Sequence, residues 1–280
     1  MASISEHTDE LDGQPLFWRT APSPAGNDTP VLYVHGVPTS SDDWVPFLEL
    51  TGGLAPDLPG FGRTGKRGDG DFTMAGYEHF IGCFLEHAGV ERVRLVVHDW
   101  GAVGLLWAMR NPERVARLVV MNVVPFLPGY RWHRTARMWR ARGLGELLMG
   151  ATNRTTLKLA LREARADHGP MPRRFVDEII AHFDPGTQRA ILRLYRSSPE
   201  DVLAAAGADL GLLRCPALVV WGDRDPYIPA RFADRCAAAL GGPATVRHVP
   251  DAGHWPWLEQ PGLIAEIGAF LDGDGDGAAS

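Results

Sequence analysis

Continuous apolar runs bounded by turn residues mark buried strands over Val31 to His35, Val93 to His98, Ala116 to Met121 and Ala217 to Trp221, with a shorter one over Thr245 to Val249. Such runs are typical of parallel strands covered on both faces. Between them lie helix-compatible stretches at Met74 to Ala88, Ala102 to Arg110, Arg231 to Leu240 and Leu263 to Leu271. Strand and helix alternate, which predicts an α/β fold with a doubly wound, mostly parallel sheet and right-handed crossovers.

The alternation breaks over residues 125–214, where the chain turns Arg-rich and aromatic, contains TARMWRARGLGELLM and RRFVDEIIAHF, and offers no convincing strand. This segment reads as a helical cap inserted after the strand that ends near Asn122. It leaves after one strand and returns before another, so it should lie over the carboxyl ends of the strands, where open α/β sheets bind ligands. The chain then divides into a core of residues 15–124 and 215–272 and the cap, flanked by a flexible N-terminus of residues 1–14. The Gly- and Asp-rich tail, residues 273–280, is too polar to bury anything and is expected to be disordered.

Composition narrows the function classes. A chain of 280 residues suits one domain with an insertion, and 45% hydrophobic with 22% charged residues is an ordinary globular mixture. A net charge of −6 supplies no electrostatic pull towards phosphate backbones or anionic lipid, so neither nucleic acid nor a membrane surface is an expected partner. With no leader-like N-terminus and no apolar run of the ~18 residues a membrane span needs, the expected location is cytoplasmic. Cys83, Cys215 and Cys236 are odd in number, widely spaced and without CxxC. They read as buried reduced thiols rather than as a disulfide framework or a zinc site, so no metal is expected.

The sharpest chemical signal is VRLVVHDWGAVGLLWAMRNPERV, in which an apolar strand stops at Asp99 and a helix begins within two residues, with Gly101 permitting a close turn. That is the pattern of a nucleophile elbow with a carboxylate where a serine would stand, and no GxSxG occurs in the chain. A carboxylate at a helix start also serves as a simple N-cap, so the assignment rests on its companions. In PVLYVHGVPTSSDDW, the turn at His35, Gly36 and Pro38 can aim the Val37 N–H at the site; with the Trp100 N–H it would form an oxyanion hole. In ALVVWGDRDPYIP, Asp225 is the candidate acid with Asp223 in reserve, and in VRHVPDAGHWPW His254 is the candidate base. The order nucleophile, acid, histidine is that of an α/β-hydrolase triad.

From about Pro15 to Leu271 the chain resembles the carboxylate-nucleophile branch of the α/β-hydrolases, which includes haloalkane dehalogenases and epoxide hydrolases. HGVPTSSDDW, DLPGFGRTG and VVHDWGAVGLLWA are most similar to the dehalogenases. The resemblance implies attack by Asp99 on a halogen-bearing carbon, halide departure, and hydrolysis of the ester by water that His254 deprotonates while Asp225 steadies the imidazolium. It implies no cofactor, and as partners only a small apolar organic substrate and water. Trp100 is the expected halide donor. Many dehalogenases place a second donor, an Asn, directly after HG, where this chain has Val37; a cap tryptophan, Trp132 or Trp139, would have to substitute. Some relatives carry the acid after the strand that ends here in Met121 and Asn122, and the lack of a carboxylate there favours Asp225. The alternative is an epoxide hydrolase, in which a cap tyrosine, Tyr130 or Tyr195, would protonate the alkoxide. A non-catalytic small-molecule binding module is the remaining reading, and it has no need of the three triad residues together.

Overall fold

The computed structural model describes residues 3–273. Its centre is an eight-stranded sheet of β1 (Ser5–Leu11), β2 (Gln14–Ala21), β3 (Val31–Val34), β4 (Gly53–Pro56), β5 (Val93–His98), β6 (Val115–Met121), β7 (Ala217–Gly222) and β8 (Ala244–Val249). Across the sheet they run β1-β2-β4-β3-β5-β6-β7-β8. β1 and β2 are antiparallel to their neighbours, and every pairing from β4 to β8 is parallel. All five strands expected from the sequence are present, within one residue at each end.

The helices α1 (Val45–Thr51), α2 (Met74–His87), α3 (Val103–Arg110), α10 (Arg231–Ala239), α11 (Pro256–Glu259) and α12 (Gly262–Asp272) belong to the core. Side chains alternate across the pleat and feed two separate cores: Leu95 and Val97 of β5 join one, Val96 the other. Helices α2, α3 and α10 cover the first face, and α1 with α12 the second. Both faces are therefore dry, which is why the central strands read as predominantly apolar runs.

Between β6 and β7 the chain forms α4 (Arg134–Arg140), α5 (Leu144–Gly150), α6 (Arg154–Ala160), α7 (Arg173–His182), α8 (Pro185–Ser197) and α9 (Glu200–Ala206) and no strand, as the loss of strand pattern predicted. The caps of these short helices are local: Asn153 accepts from Thr155 and Thr156, and Asp184 from Thr187.

The N-terminus departs from expectation. Instead of being flexible throughout, residues 5–11 form the edge strand β1, joined to β2 by a two-residue turn at Asp12 and Gly13 with φ of 51° and 71°. Its sequence, SEHTDEL, is polar because both faces of an edge strand can meet water, so it carries no apolar signature. The thiols also differ: Cys236 is buried, whereas Cys83 and Cys215 are only half-buried. Nearly all of the tail, expected to be disordered, lies outside the described residues, among which no helix is long and apolar enough to cross a membrane.

Candidate active site

Asp99 follows the last residue of β5 and takes φ of 49°, a left-handed conformation that a non-glycine residue adopts at a cost and that lifts its carboxyl above the sheet edge. The tight exit depends on two glycines. A Cβ on Gly101 would sit 2.1 Å from the Val34 carbonyl oxygen, and one on Gly36 would sit 2.5 Å from the Asp99 Cβ. The turn after β3 is locked by His35, whose Nε2 accepts the Leu58 N–H (2.9 Å) and whose Nδ1 therefore carries the proton donated to Gly36 O (2.8 Å). That turn delivers the Val37 N–H to Asp99 Oδ2 at 2.8 Å, and the Trp100 N–H also hydrogen-bonds this carboxyl. The other oxygen, Oδ1, lies 3.7 Å from His254 Nε2.

His254 sits in the loop after β8. Its Nδ1–H donates to Asp225 Oδ2 at 2.7 Å, which fixes the tautomer and turns Nε2 towards Asp99. Its backbone is tied down on both sides: its N–H donates to Ala164 O (2.8 Å), and its carbonyl accepts from His98 Nε2 (2.8 Å). Asp225 is held by the Tyr227 and Ile228 N–H groups on Oδ1 (2.7 and 3.1 Å) and by Asn122 Nδ2 on Oδ2 (2.7 Å). Asn122 is a residue the sequence did not single out for a role. It stands just past β6 with φ of 38°, and its Oδ1 accepts the Gly222 N–H (2.9 Å), so one amide clamps both β7 and the acid. The reserve acid Asp223 is placed elsewhere, 2.6 Å from the half-buried His248.

Electrostatics follow from this arrangement. Burial raises the Asp99 carboxyl above the usual range, against the charge of His254 and the two amides. Burial alone would lower His254, but the charge and hydrogen bond of Asp225, then the charges of Asp99 and Asp43, more than reverse it. His98 is driven well below the ordinary histidine value, first by burial and then by His254, so it serves as a neutral donor.

Above the triad lies a cavity of about 590 Å³ walled by cap and strand-end residues, among them Val37, Asp99, Trp139, Tyr195, Tyr227 and His254. This places the cap over the carboxyl ends of the strands. The candidate cap residues separate in their availability. The Trp132 indole N–H is already committed to Ser198 O (2.9 Å), and the Tyr130 hydroxyl points to Tyr227 O (3.4 Å). Trp132 stacks on Trp100 with ring centres 5.5 Å apart. Tyr195 packs edge-on against Trp100 (5.2 Å), and Trp139 edge-on against Tyr195 (5.2 Å). Trp100 Nε1 is buried with no partner in hydrogen-bond geometry among the described residues, and it lies beside the Tyr195 hydroxyl. Burial, reinforced by Asp99, raises the Tyr195 hydroxyl well above the ordinary tyrosine value.

Sequence reasoning also missed Tyr227 and His133 on the cavity wall. Tyr227 lies edge-on to His254 (5.0 Å), and burial holds His133 down at about 4. The DPYIP turn that carries Tyr227 was the available signal for the first; His133 had none.

Residues 29–261 match the family model described as the alpha/beta hydrolase fold. The chain belongs to the α/β-hydrolase family. This hydrolase is 31% identical to a haloalkane dehalogenase of Bradyrhizobium diazoefficiens over 79% of its own chain and 80% of that protein. It is 31% identical to haloalkane dehalogenase 1 of Mycobacterium tuberculosis over 88% of its own chain and 81% of that one. Among solved structures, a haloalkane dehalogenase from Bradyrhizobium elkani superposes with a TM-score of 0.81 at 25% identity, covering 97% of this chain and 98% of that one. The hydrolase is thus haloalkane dehalogenase-like.

Proposed function

We propose that this hydrolase cleaves carbon–halogen bonds of small apolar substrates through an alkyl-enzyme ester on Asp99. The observation that carries this reading is the split environment of the Asp99 carboxyl, with Oδ2 gripped by the Val37 amide and Oδ1 left facing the cavity and His254. Oδ1 attacks the carbon, and the carbon–halogen bond breaks with its electron pair leaving on halide. Trp100 Nε1, buried without a hydrogen-bond partner among the described residues, receives the halide, and Tyr195 supplies the second donor that Val37 cannot. His254 Nε2 then takes a proton from water, and the hydroxide adds to Cγ. The oxyanion gathers on Oδ2, where the amides already point. Collapse releases the alcohol and restores Asp99, and the proton on His254, steadied by Asp225, passes to solvent. Similarity to haloalkane dehalogenases supports the substrate class.

A second reading, epoxide hydrolysis, is favoured by Tyr195 specifically, because a hydroxyl next to Asp99 is able to protonate an alkoxide whereas an indole is not. The two are separated by assaying halide release from bromo- and chloroalkanes beside diol formation from epoxides, with Asp99→Asn as the blank. Halide release that vanishes in Asp99→Asn is the expected result. Diol formation alone transfers the assignment to the second reading, and near-full activity in Asp99→Asn removes the carboxylate nucleophile altogether.

A further inference from the structure

The outer side of the N-terminal hairpin and helix α2 brings together three donors that lie far apart in sequence. His79 and Cys83 stand one helical turn apart on α2, on the same face, with Cys83 Sγ 3.5 Å from His79 Nε2. Asp12, in the turn between β1 and β2, places Oδ2 3.9 Å from the same His79 nitrogen. One donor atom from each of the three lies within 4.8 Å of the others. A tetrahedral zinc ion bonded to a thiolate at ~2.3 Å and an imidazole at ~2.1 Å requires those two donors to be about 3.6 Å apart, so the helix already holds them at ligand spacing. The pair sits in line with a second hairpin-to-helix contact, Asp9 to His87 at 3.2 Å, so the turn is positioned along α2 by more than Asp12 alone.

We propose that Asp12, His79 and Cys83 form a surface site for a borderline divalent transition metal such as zinc, completed by water, which clips the N-terminal hairpin to α2. Sulfur, imidazole and carboxylate together suit zinc or cobalt and select against magnesium and calcium. Binding releases the Cys83 proton, so affinity rises with pH. The site is separate from the catalytic cavity and is independent of the substrate assigned to it.

The test is titration of the full chain, stripped with chelator, with Co²⁺ under reducing conditions. One equivalent is expected to produce a thiolate-to-cobalt charge-transfer band that zinc displaces. Cys83→Ser abolishes the band, His79→Ala weakens binding at least tenfold, and Asp12→Asn weakens it to a smaller degree. Zinc raises the thermal midpoint of wild type and leaves that of His79→Ala unchanged, with hydrolase turnover equal in both. Absence of the band in wild type, or its persistence in Cys83→Ser, overturns the proposal, the latter assigning the metal to Cys215 or Cys236.

Discussion

At the residue scale, the proposed ester chemistry depends on charges that would change during turnover. The free enzyme holds Asp99 and Asp225 on either side of His254, and their charges keep the imidazole protonated to a pH above the usual histidine value. Esterification removes the Asp99 charge, while Asp225 remains at 2.7 Å. Attack needs only an ionised Asp99, whereas ester hydrolysis needs a neutral His254. Acidification therefore slows the second step before the first. Wild-type enzyme mixed with substrate and quenched on the acid side should carry a mass increase on the Asp99 peptide that disappears as pH rises through the His254 titration. His254→Ala should carry the same adduct at every pH at which Asp99 is ionised, with turnover lowered by on the order of 10³-fold or more. An adduct-free His254→Ala enzyme that still turns over would dismiss the ester mechanism.

At the element scale, the catalytic geometry is a property of strand ends. Asp99 follows β5, Asn122 follows β6 and the turn to Asp225 follows β7, and three adjacent strands in register bring these residues to one edge. The amide of Asn122 ties the ends of β6 and β7 together and donates to the triad acid. Asn122→Leu leaves Asp225 Oδ2 and the Gly222 N–H without that partner in a dry setting, at a cost of about 1–3 kcal/mol. Urea denaturation should show that loss, and turnover should fall more than substrate binding because the His254 tautomer is less firmly held. Asn122→Asp supplies a second carboxylate beside Asp225 and tests whether the position accepts the acid that some relatives carry there. An Asn122→Leu enzyme with unchanged stability and turnover would show that the Tyr227 and Ile228 amides alone suffice to hold Asp225.

At the scale of the whole molecule, the strand that leads into Asp99 is also anchored to the C-terminal helix. Arg94 of β5, 2% exposed, donates to Asp272 Oδ1 at 2.7 Å and to the Leu271 carbonyl at 2.9 Å from the end of α12. Its Nε also reaches Thr29 O at 2.8 Å, ahead of β3. A buried guanidinium that loses its carboxylate keeps its desolvation cost without the compensating charge. Asp272→Ala should therefore lower unfolding free energy by about 1–3 kcal/mol, less than for a fully buried pair because Asp272 is one-third exposed. Turnover of the folded enzyme should be unchanged, since the pair lies at the strand start, away from the cavity. A stability indistinguishable from wild type would mean that the two carbonyls satisfy Arg94 unaided.

The sequence by itself determined the central sheet and the identity of the three residues that meet in it. A strand buried on both faces is apolar at most positions, so β3, β5, β6 and β7 were legible in spite of Arg94 and Arg117, and a carboxylate or histidine just beyond such a strand has no reason to be there in packing alone. The polar edge strand β1 and the four-residue β4 left no such mark, because an edge exposed to water imposes little on its side chains and GLAP is too short a run to stand out. The same physics explains the site. Asp99, Asp225 and His254 follow from strand ends, whereas the partners that decide their behaviour do not. Only the tertiary structure commits the Trp132 N–H to Ser198, leaves the Trp100 indole N–H without a hydrogen-bond partner among the described residues, sets Asn122 against Asp225, and brings Asp12 to Cys83. Those are contacts between segments that loop closure brings together, and a local pattern of side chains carries no information about which distant group will be waiting.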